Sequence, residues 1–453
     1  MKIKPLDQWI TEHSSLLLGI ILLFSFIVRI WRVQIPPTYY FDEVYHAVTS
    51  KLVARNDERA YEWWHAPVEP DTAIEWTHPP LAKLFKATGI LIFGENSFGW
   101  RISSVIFGVL CIFMVFSVSE TLFKSKPISL LAAFLFSMDG LPLTQSRIAM
   151  NDIHLLFFML LSVKMYLLFK ESQPWTIEWK KYLILSGVAF GLTFASKWSG
   201  IVILGIFIAD QFLTFLKEKH ISIKMIIVYF FAWIALPIFV YSLSFSQMFL
   251  QGKSLDHFRE LNGQMYWYHS GLVATHPYQS KPLQWVLNLR PVWLYVDYSK
   301  PDQIANMYAQ GNTALYLFGF FGILVYLVRS LLHSTSIITS HIKETFIFKL
   351  ELHKITPQLL FVIMAYFIVW LPYTLSPRIM FFYHYLPAVP YLSIASAFFI
   401  YKLLQFDDIR KTIALTVLSL IIVNFVLFYP NWTGMYVSTA FRDNIYGFMP
   451  SWK

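Results

Sequence analysis

An Asp-Glu pair, Asp42-Glu43, lies about ten residues beyond the first long apolar block, and His78-Pro-Pro-Leu-Ala-Lys83 follows some thirty-five residues later in the same polar stretch. Two acids, a histidine and a lysine held against a bilayer surface suit chemistry on a substrate with an anionic head and a tail in lipid. Ionisable groups are costly at a membrane and are functional candidates by default. The competing expectation is that Asp42 and Glu43 simply cap an interfacial helix. Adjacent side chains diverge by about 100° on a helix and about 180° on a strand. The pair therefore cannot face each other across one bond as the two carboxylates of a glycosidase do. One acid can point into a cavity while the other supports it or binds a second ligand. A single base that takes a proton from an incoming hydroxyl, with the leaving group departing from the opposite face, is the need of a transferase.

The two prolines hold His78–Pro80 extended and delay any helix until Leu81. Lys83 then falls near a helix N-terminus, where backbone N–H groups add positive potential suited to a phosphate oxygen; the alternative is a stiff turn with a snorkelling lysine. Arg29 and Arg101 sit at the outer ends of the first two apolar spans. Each either anchors to lipid phosphate or neutralises a departing lipid phosphate, a role otherwise filled by a divalent metal. Arg147 and Asp152 bracket a turn on the same side, Lys197 ends a span there, and Lys164 and Asp210 lie near the opposite ends, placed to snorkel or pair. His269 and His276 have no cysteine or acid cluster beside them, so neither a metal site nor a cofactor is expected.

These residues must be positioned by membrane helices. The chain is 56% hydrophobic, 18% aromatic and only 14% charged, against about a quarter charged in soluble domains. Apolar blocks occupy 15–33, 103–123, 127–145, 153–170, 182–196, 198–216, 225–246, 313–331, 358–376, 385–404 and 412–429. They predict an all-α polytopic membrane protein with about eleven spans, forming one domain over 1–453. The net charge of +9 comes mostly from short loops between these blocks, which is the pattern of membrane topology and not of nucleic-acid binding. The single cysteine, Cys111, excludes an internal disulfide. The connections that include Lys2, Lys4, Lys124, Lys126, Lys170, Lys180, Lys181, Lys217, Lys219, Arg329, Lys343, Lys349, Lys354, Lys402, Arg410 and Lys411 are read as cytoplasmic, as is the polar tract 332–357. Stretch 36–100 carries nine acids against five Lys and Arg and is read as outer. The long loops 34–102 and 247–312, with interfacial helices such as 84–93, and the tail 430–453 then share the outer face of a plasma membrane, with the N-terminus inside. Asn431-Trp-Thr433 in that tail fits an N-glycosylation sequon.

Phe41-Asp-Glu-Val-Tyr-His46, His78-Pro-Pro-Leu-Ala-Lys83, Ser196-Lys-Trp-Ser-Gly200, His276-Pro-Tyr-Gln-Ser-Lys-Pro282 and Tyr383-His-Tyr-Leu-Pro387, in this order, resemble the protein O-mannosyltransferases over nearly the whole chain. The resemblance implies a C-type membrane glycosyltransferase that moves mannose, with inversion, from polyprenyl-phosphate mannose to Ser or Thr hydroxyls of a polypeptide. It implies Asp42 as base and Glu43 as its neighbour in acceptor or donor binding. Arg101, Lys83, Arg29 and His78 fall to the donor phosphate, with Arg29 the least defined. Eukaryotic members carry a folded domain in the second outer loop for which 247–312 is too short, so the likeness is to the compact prokaryotic form. His276, Tyr278 and Trp285 are the candidates to roof an aqueous acceptor entrance. A transferase acting on a glycan or lipid is the same-class alternative. A transporter or flippase would instead place charges and helix breaks near mid-membrane.

Overall fold

Apolar runs of the length of a bilayer become helices because a backbone in hydrocarbon must satisfy its own hydrogen bonds. A computed structural model describes residues 5–218, 222–334, 356–447 and 449–452. Lys2, Lys4, Lys219, Lys343, Lys349, Lys354 and most of the tract 332–357 lie outside them. The helices run α1 Pro5–Glu12, α2 Ser14–Ile30, α3 Glu43–Ala54, α4 Leu81–Phe93, α5 Ser97–Phe123, α6 Lys126–Ser137, α7 Gly140–Gln145, α8 Asp152–Glu171, α9 Ile177–Ser196 and α10 Val202–Glu218. They continue with α11 Ile223–Phe230, α12 Leu236–Leu243, α13 Ser246–Leu250, α14 Leu255–Gly271, α15 Pro282–Val286, α16 Thr313–Ser334, α17 Pro357–Trp370, α18 Val389–Leu404 and α19 Ile409–Thr433.

Among the described residues eight helices are long and apolar enough to cross a membrane, or nine if α1 and α2, bent by 72°, form one span. Each of the eleven expected blocks falls on helix, but a count of eleven also needs α6 and α9. The first has only 12 residues, about 18 Å of rise against a hydrocarbon core of about 30 Å. The second opens with Glu178, Lys180 and Lys181. The expected block 127–145 is broken where Asp139 caps α7 through Leu141 N and also accepts from Asn312 N, both at 2.9 Å. α5, α8 and α18 form the centre, and the α11–α12 span, 17% buried, lies at the periphery. Lys170 pairs with Asp210 at 2.6 Å, and Lys164 bonds Ser117 O and Thr121, so Lys164 and Asp210 are paired.

The helical reading misses one element. Val292–Asp297 (β1), Gln303–Ala309 (β2) and Tyr436–Ser438 (β3) form an antiparallel sheet in the order β1-β2-β3. The alternating Val-Trp-Leu-Tyr-Val of β1 is a strand pattern obscured by an aromatic-rich loop. The C-terminal segment is thereby docked onto the second long loop, with Trp452 Nε1 donating to Asn288 O at 2.8 Å. Asn431 and Thr433 are buried in the last turns of α19, so the sequon is a packing element and not an accessible acceptor.

α9 crosses the π-helical turn Phe231–Ala235 between α11 and α12 at Gly187, where a Cβ would lie 2.0 Å from Ala232 O. Backbone cannot yield as a side-chain tip can. Gly187→Ala should therefore cost about 1–3 kcal/mol, read as a lowered thermal midpoint of the detergent-solubilised protein.

Candidate active site

Seven segments bring their polar groups to one end of the bundle: the turn 33–42, the N-termini of α3 and α4, the turn 146–151, the end of α9 at Lys197, the end of α14 and the segment 377–384. Phe41 enters α3 with φ +50, a rare conformation for an aromatic residue. It is held by an edge contact with Tyr383, at a centroid distance of 6.2 Å, and by the turn bond Glu43 N to Tyr40 O. Asp42 follows at the N-cap position, yet its side chain makes no capping hydrogen bond. The capping expectation fails, and a half-buried carboxylate is left uncapped among Lys197, Asp152, Glu75 and Tyr383, the polar recess at this end of the bundle. Desolvation raises its pKa to about 7, against the pull of Lys197 and with further push from Asp152 and Glu75. That is the range in which a carboxylate works as a base at neutral pH.

Glu43 points the other way, into the protein, with no exposed surface. Its Oε1 accepts from Arg101 Nε at 2.8 Å and Ala149 N at 3.0 Å; its Oε2 accepts from Arg101 at 2.7 Å and Tyr40 N at 3.4 Å. The remaining Arg101 donors go to the carbonyls of Val33, Pro36 and Thr38 at 2.7–2.9 Å. All five N–H groups of Arg101 are spent, so neither residue presents a group to a substrate as the sequence suggested. Arg29 is equally buried, bonding only Ser25 O at 3.3 Å, and is walled off from the recess. Arg147 closes the end of α2 by donating to Arg29 O and Trp31 O at 2.6 and 2.8 Å.

Lys83 stands in the first turn of α4, as the prolines require, but pairs with Glu75 Oε2 at 2.7 Å and donates to His78 O at 2.9 Å. It braces the loop and offers no free charge to a phosphate. Glu75, which sequence reasoning missed, organises this corner: it also takes His78 Nδ1 at 2.7 Å and lies 3.9 Å from His46 Nδ1. Burial opposes ionisation of Glu75, but Lys83 and His78 hold its carboxyl well below the usual range. Burial lowers the pKa of His78 despite Glu75. A neutral His78 that donates Nδ1–H to Glu75 keeps an Nε2 lone pair, an acceptor and not a cation.

Two cations retain unspent donors near Asp42. Lys197 pairs with Asp152 at 2.8 Å, lies 5.8 Å from the Tyr383 ring centroid and lowers the pKa of Asp42. Arg378 donates to His269 Nδ1 at 2.6 Å, while His269 Nε2–H donates to Thr77 O at 2.7 Å. The Arg378 Nε is buried without a partner among the described residues, and both Arg378 and Asp42 lie within electrostatic reach of Tyr268 and Tyr383. Lys197 was visible in the sequence as a charge at a span end. Arg378 follows Ser376-Pro377 in an unremarkable loop, and no local signal marks it. His276 is exposed at the rim, edge-on to Phe381, which stacks on Tyr383. Tyr278 is half-buried under Arg290. Trp285 is fully buried, donating to Ser280 Oγ at 2.8 Å and stacked on His384. It is core and cannot contact an acceptor.

Asp42 and Glu43 should therefore separate in stability. Glu43→Gln leaves Arg101 a buried charge without a counterion, a loss of about 3–5 kcal/mol. Asp42 has a folded pKa above its unfolded value, so its ionisation costs stability that grows as pH rises from about 4 to about 7. Thermal unfolding should show Asp42→Asn more stable than the parent at pH 8 and matching it near pH 4, with Glu43→Gln destabilised at neutral pH.

Two family models cover the chain: "Dolichyl-phosphate-mannose-protein mannosyltransferase" matches residues 19–250 and "C-terminal four TMM region of protein-O-mannosyltransferase" matches 254–449. A polyprenol-phosphate-mannose–protein mannosyltransferase of Corynebacterium glutamicum is 24% identical over 83% of this chain and 81% of its own length. The protein of the same name from Mycobacterium tuberculosis is 22% identical over the same shares. The fold is similar to the yeast Pmt1–Pmt2 O-mannosyltransferase complex bound to the sugar donor, with TM-score 0.75 and 14% identity over 93% of this chain and 90% of that one. It is also similar to ArnT from Cupriavidus metallidurans, with TM-score 0.57 and 12% identity over 91% and 63%. The transmembrane helices, the recess around Asp42 and the match across both halves agree: this chain belongs to the dolichyl-phosphate-mannose–protein mannosyltransferase family, a family of integral-membrane glycosyltransferases.

Proposed function

We propose that the protein transfers mannose from polyprenyl-phosphate mannose to a Ser or Thr hydroxyl of a polypeptide on the outer face of the cell membrane, with Asp42 as the general base. The observation that carries this reading is a half-buried, uncapped carboxylate beside two cations with free donors. Asp42 takes the hydroxyl proton as the oxygen attacks the anomeric carbon. The bond to the phosphate oxygen breaks on the opposite face, its electron pair leaves with the lipid phosphate, and the configuration inverts. Lys197 and Arg378 are the groups proposed to meet the developing phosphate charge. His78 Nε2 is suited to accept a bond from a mannose hydroxyl. The Glu43–Arg101 pair holds Asp42 in place without touching either substrate.

The acceptor reaches the recess past His276 and Tyr278, so loop 34–102 supplies the base and loop 247–312 the acceptor rim of one transferase unit. Charges and buried carboxylates gathered at one end of the bundle favour a surface-opening site over a transport pathway. The purified chain, given radiolabelled polyprenyl-phosphate mannose and a Ser/Thr-rich peptide, should label the peptide. Label appearing on lipid alone would point to the glycan or lipid acceptor class, and none at all would sink the transferase reading.

Asp42→Asn should lower turnover by about 10²–10⁴-fold. With the base held near 7 by burial, the acid limb of kcat/KM should centre near pH 7 and level above it. Lys197→Gln removes the cation that lowers this pKa, so the limb should move to higher pH. A limb in the ordinary carboxylate range, or near-normal transfer by Asp42→Asn, would exclude Asp42 as base.

Orientation follows from the acid excess of stretch 36–100 and the lysines at the opposite ends of the helices. With Cys111→Ala as background, Ala66→Cys, exposed in the loop between α3 and α4, should react with an impermeant thiol reagent in intact cells. Gln173→Cys, exposed between α8 and α9, should react only after permeabilisation. The reverse pattern would put Asp42 on the cytoplasmic side.

A further inference from the structure

α8 starts and α9 ends beside the recess, at Asp152 and Lys197, so the α8–α9 connection lies at the other end of the bundle. There α9 and the α11–α12 span flank an open cavity of about 400 Å³, within the size range of small-ligand sites. Trp179 and Leu183 of α9 face Val228, Phe231 and Leu236 across it. Lys180 is the one charged residue among those lining it. From Val228 to Leu236 the wall rises about 12 Å, close to the depth of one hydrocarbon leaflet.

Three observations say what chemistry this space fits. The α11–α12 span is the least buried of the membrane-length helices described, so the cavity opens toward lipid. The mouth is cationic and amphipathic: Lys180 and Lys224 are both exposed, and Lys224 Nζ lies 4.4 Å from the ring centroid of Trp175, itself a lining residue. Trp175 holds this place with φ +69, a conformation that is costly for a bulky side chain and that tends to persist where a site uses it. The wall also contains the π-helical turn Phe231–Ala235, a feature frequent at functional sites.

We propose that this cavity binds one anionic glycerophospholipid, an acyl chain between α9 and α11–α12 and its phosphate between Lys180 and Lys224, at the membrane face opposite Asp42. Aliphatic walls take the chain, the Trp175 indole lies at headgroup depth, and two ammonium groups select negative charge. The two helices joined by such a lipid lead, at their far ends, to Lys197 and to Tyr241, whose hydroxyl accepts from Trp198 Nε1 at 3.1 Å. Occupancy braces the outer wall of the recess from the opposite leaflet.

The delipidated full chain in detergent is titrated with phosphatidylglycerol or phosphatidylcholine of identical chains, with bound lipids counted by native mass spectrometry and the thermal midpoint followed in parallel. One phosphatidylglycerol should be retained at least about tenfold more tightly than phosphatidylcholine and raise the midpoint by on the order of a few degrees. Lys180→Gln with Lys224→Gln should abolish the preference. Ile184→Trp, which fills the cavity from its exposed rim, should lose the retained lipid. The unliganded midpoint of each variant reports whether it folds, and the charge variant stands as a test if the filled one does not fold. Equal retention of the two lipids, or preference unchanged in the lysine variant, overturns the proposal. So does displacement of phosphatidylglycerol by polyprenyl phosphate, which would assign the cavity to the carrier. A mass for the parent chain that is twice that of the Ile184→Trp variant, with no lipid difference, would assign the face to a second copy and equally overturn it.

Discussion

The pairing of Glu43 with Arg101 is the constraint on which the site is built. The two residues are 58 positions apart, and their ion pair, fully enclosed, gathers the carbonyls of Val33, Pro36 and Thr38, the amide of Tyr40 and the amide of Ala149 around one pair of charges. A buried pair is tolerated only when every lone pair and proton finds a partner. Here each does, and satisfying them locks the turn before α3, the start of α5 and the turn before α8 into one relative geometry. Because Glu43 is anchored inward, the helical offset of adjacent residues turns Asp42 outward to the recess. The uncapped carboxylate is a consequence of where its neighbour is held.

The same accounting separates supporting charges from available ones. Lys83, Lys86, Arg101 and Arg147 are all buried and all bonded: Lys86 donates to Ala149 O and Asn151 Oδ1 at 3.0 and 2.7 Å, beside the turn that Glu43 also holds. These four cations fasten loop to loop at the membrane boundary, where water cannot satisfy exposed carbonyls. Lys197, bonded to Asp152, and Arg378, bonded to His269, are held by one side-chain hydrogen bond each and keep further N–H groups unpaired among the described residues. A phosphate needs the second kind. Positive residues near a lipid-phosphate site therefore divide by whether several bonds already tie them into the scaffold.

Glu75 shows the division within one loop. Its carboxylate binds Lys83 and His78 together, so the His-Pro-Pro segment is rigid from both ends: the prolines limit the backbone, and the ion pair limits the side chains. His78 is left neutral with one free nitrogen. A motif that reads as a phosphate cradle is, in three dimensions, a scaffold with a single acceptor facing outward.

Much was legible in the sequence alone. Hydropathy over membrane-length windows, proline positions and the order of short motifs are local properties, and they placed the apolar helices, the start of α4 at Leu81, the candidate base and the family, but not the break at Asp139 or the amphipathic α14. The strand hairpin escaped because its alternation is short and sits among aromatics that an interface also favours. The partners of the charges were not legible either. Arg101 lies beside Glu43, Lys197 beside Asp152 and Arg378 beside His269 because distant segments converge, and separations of 58, 45 and 109 residues leave no periodic trace in a sequence. Trp285 and Asn431 failed as surface residues for the same reason. A tryptophan or a sequon has the same appearance in sequence whether packing exposes it or encloses it, and burial is set by the segments that fold over it.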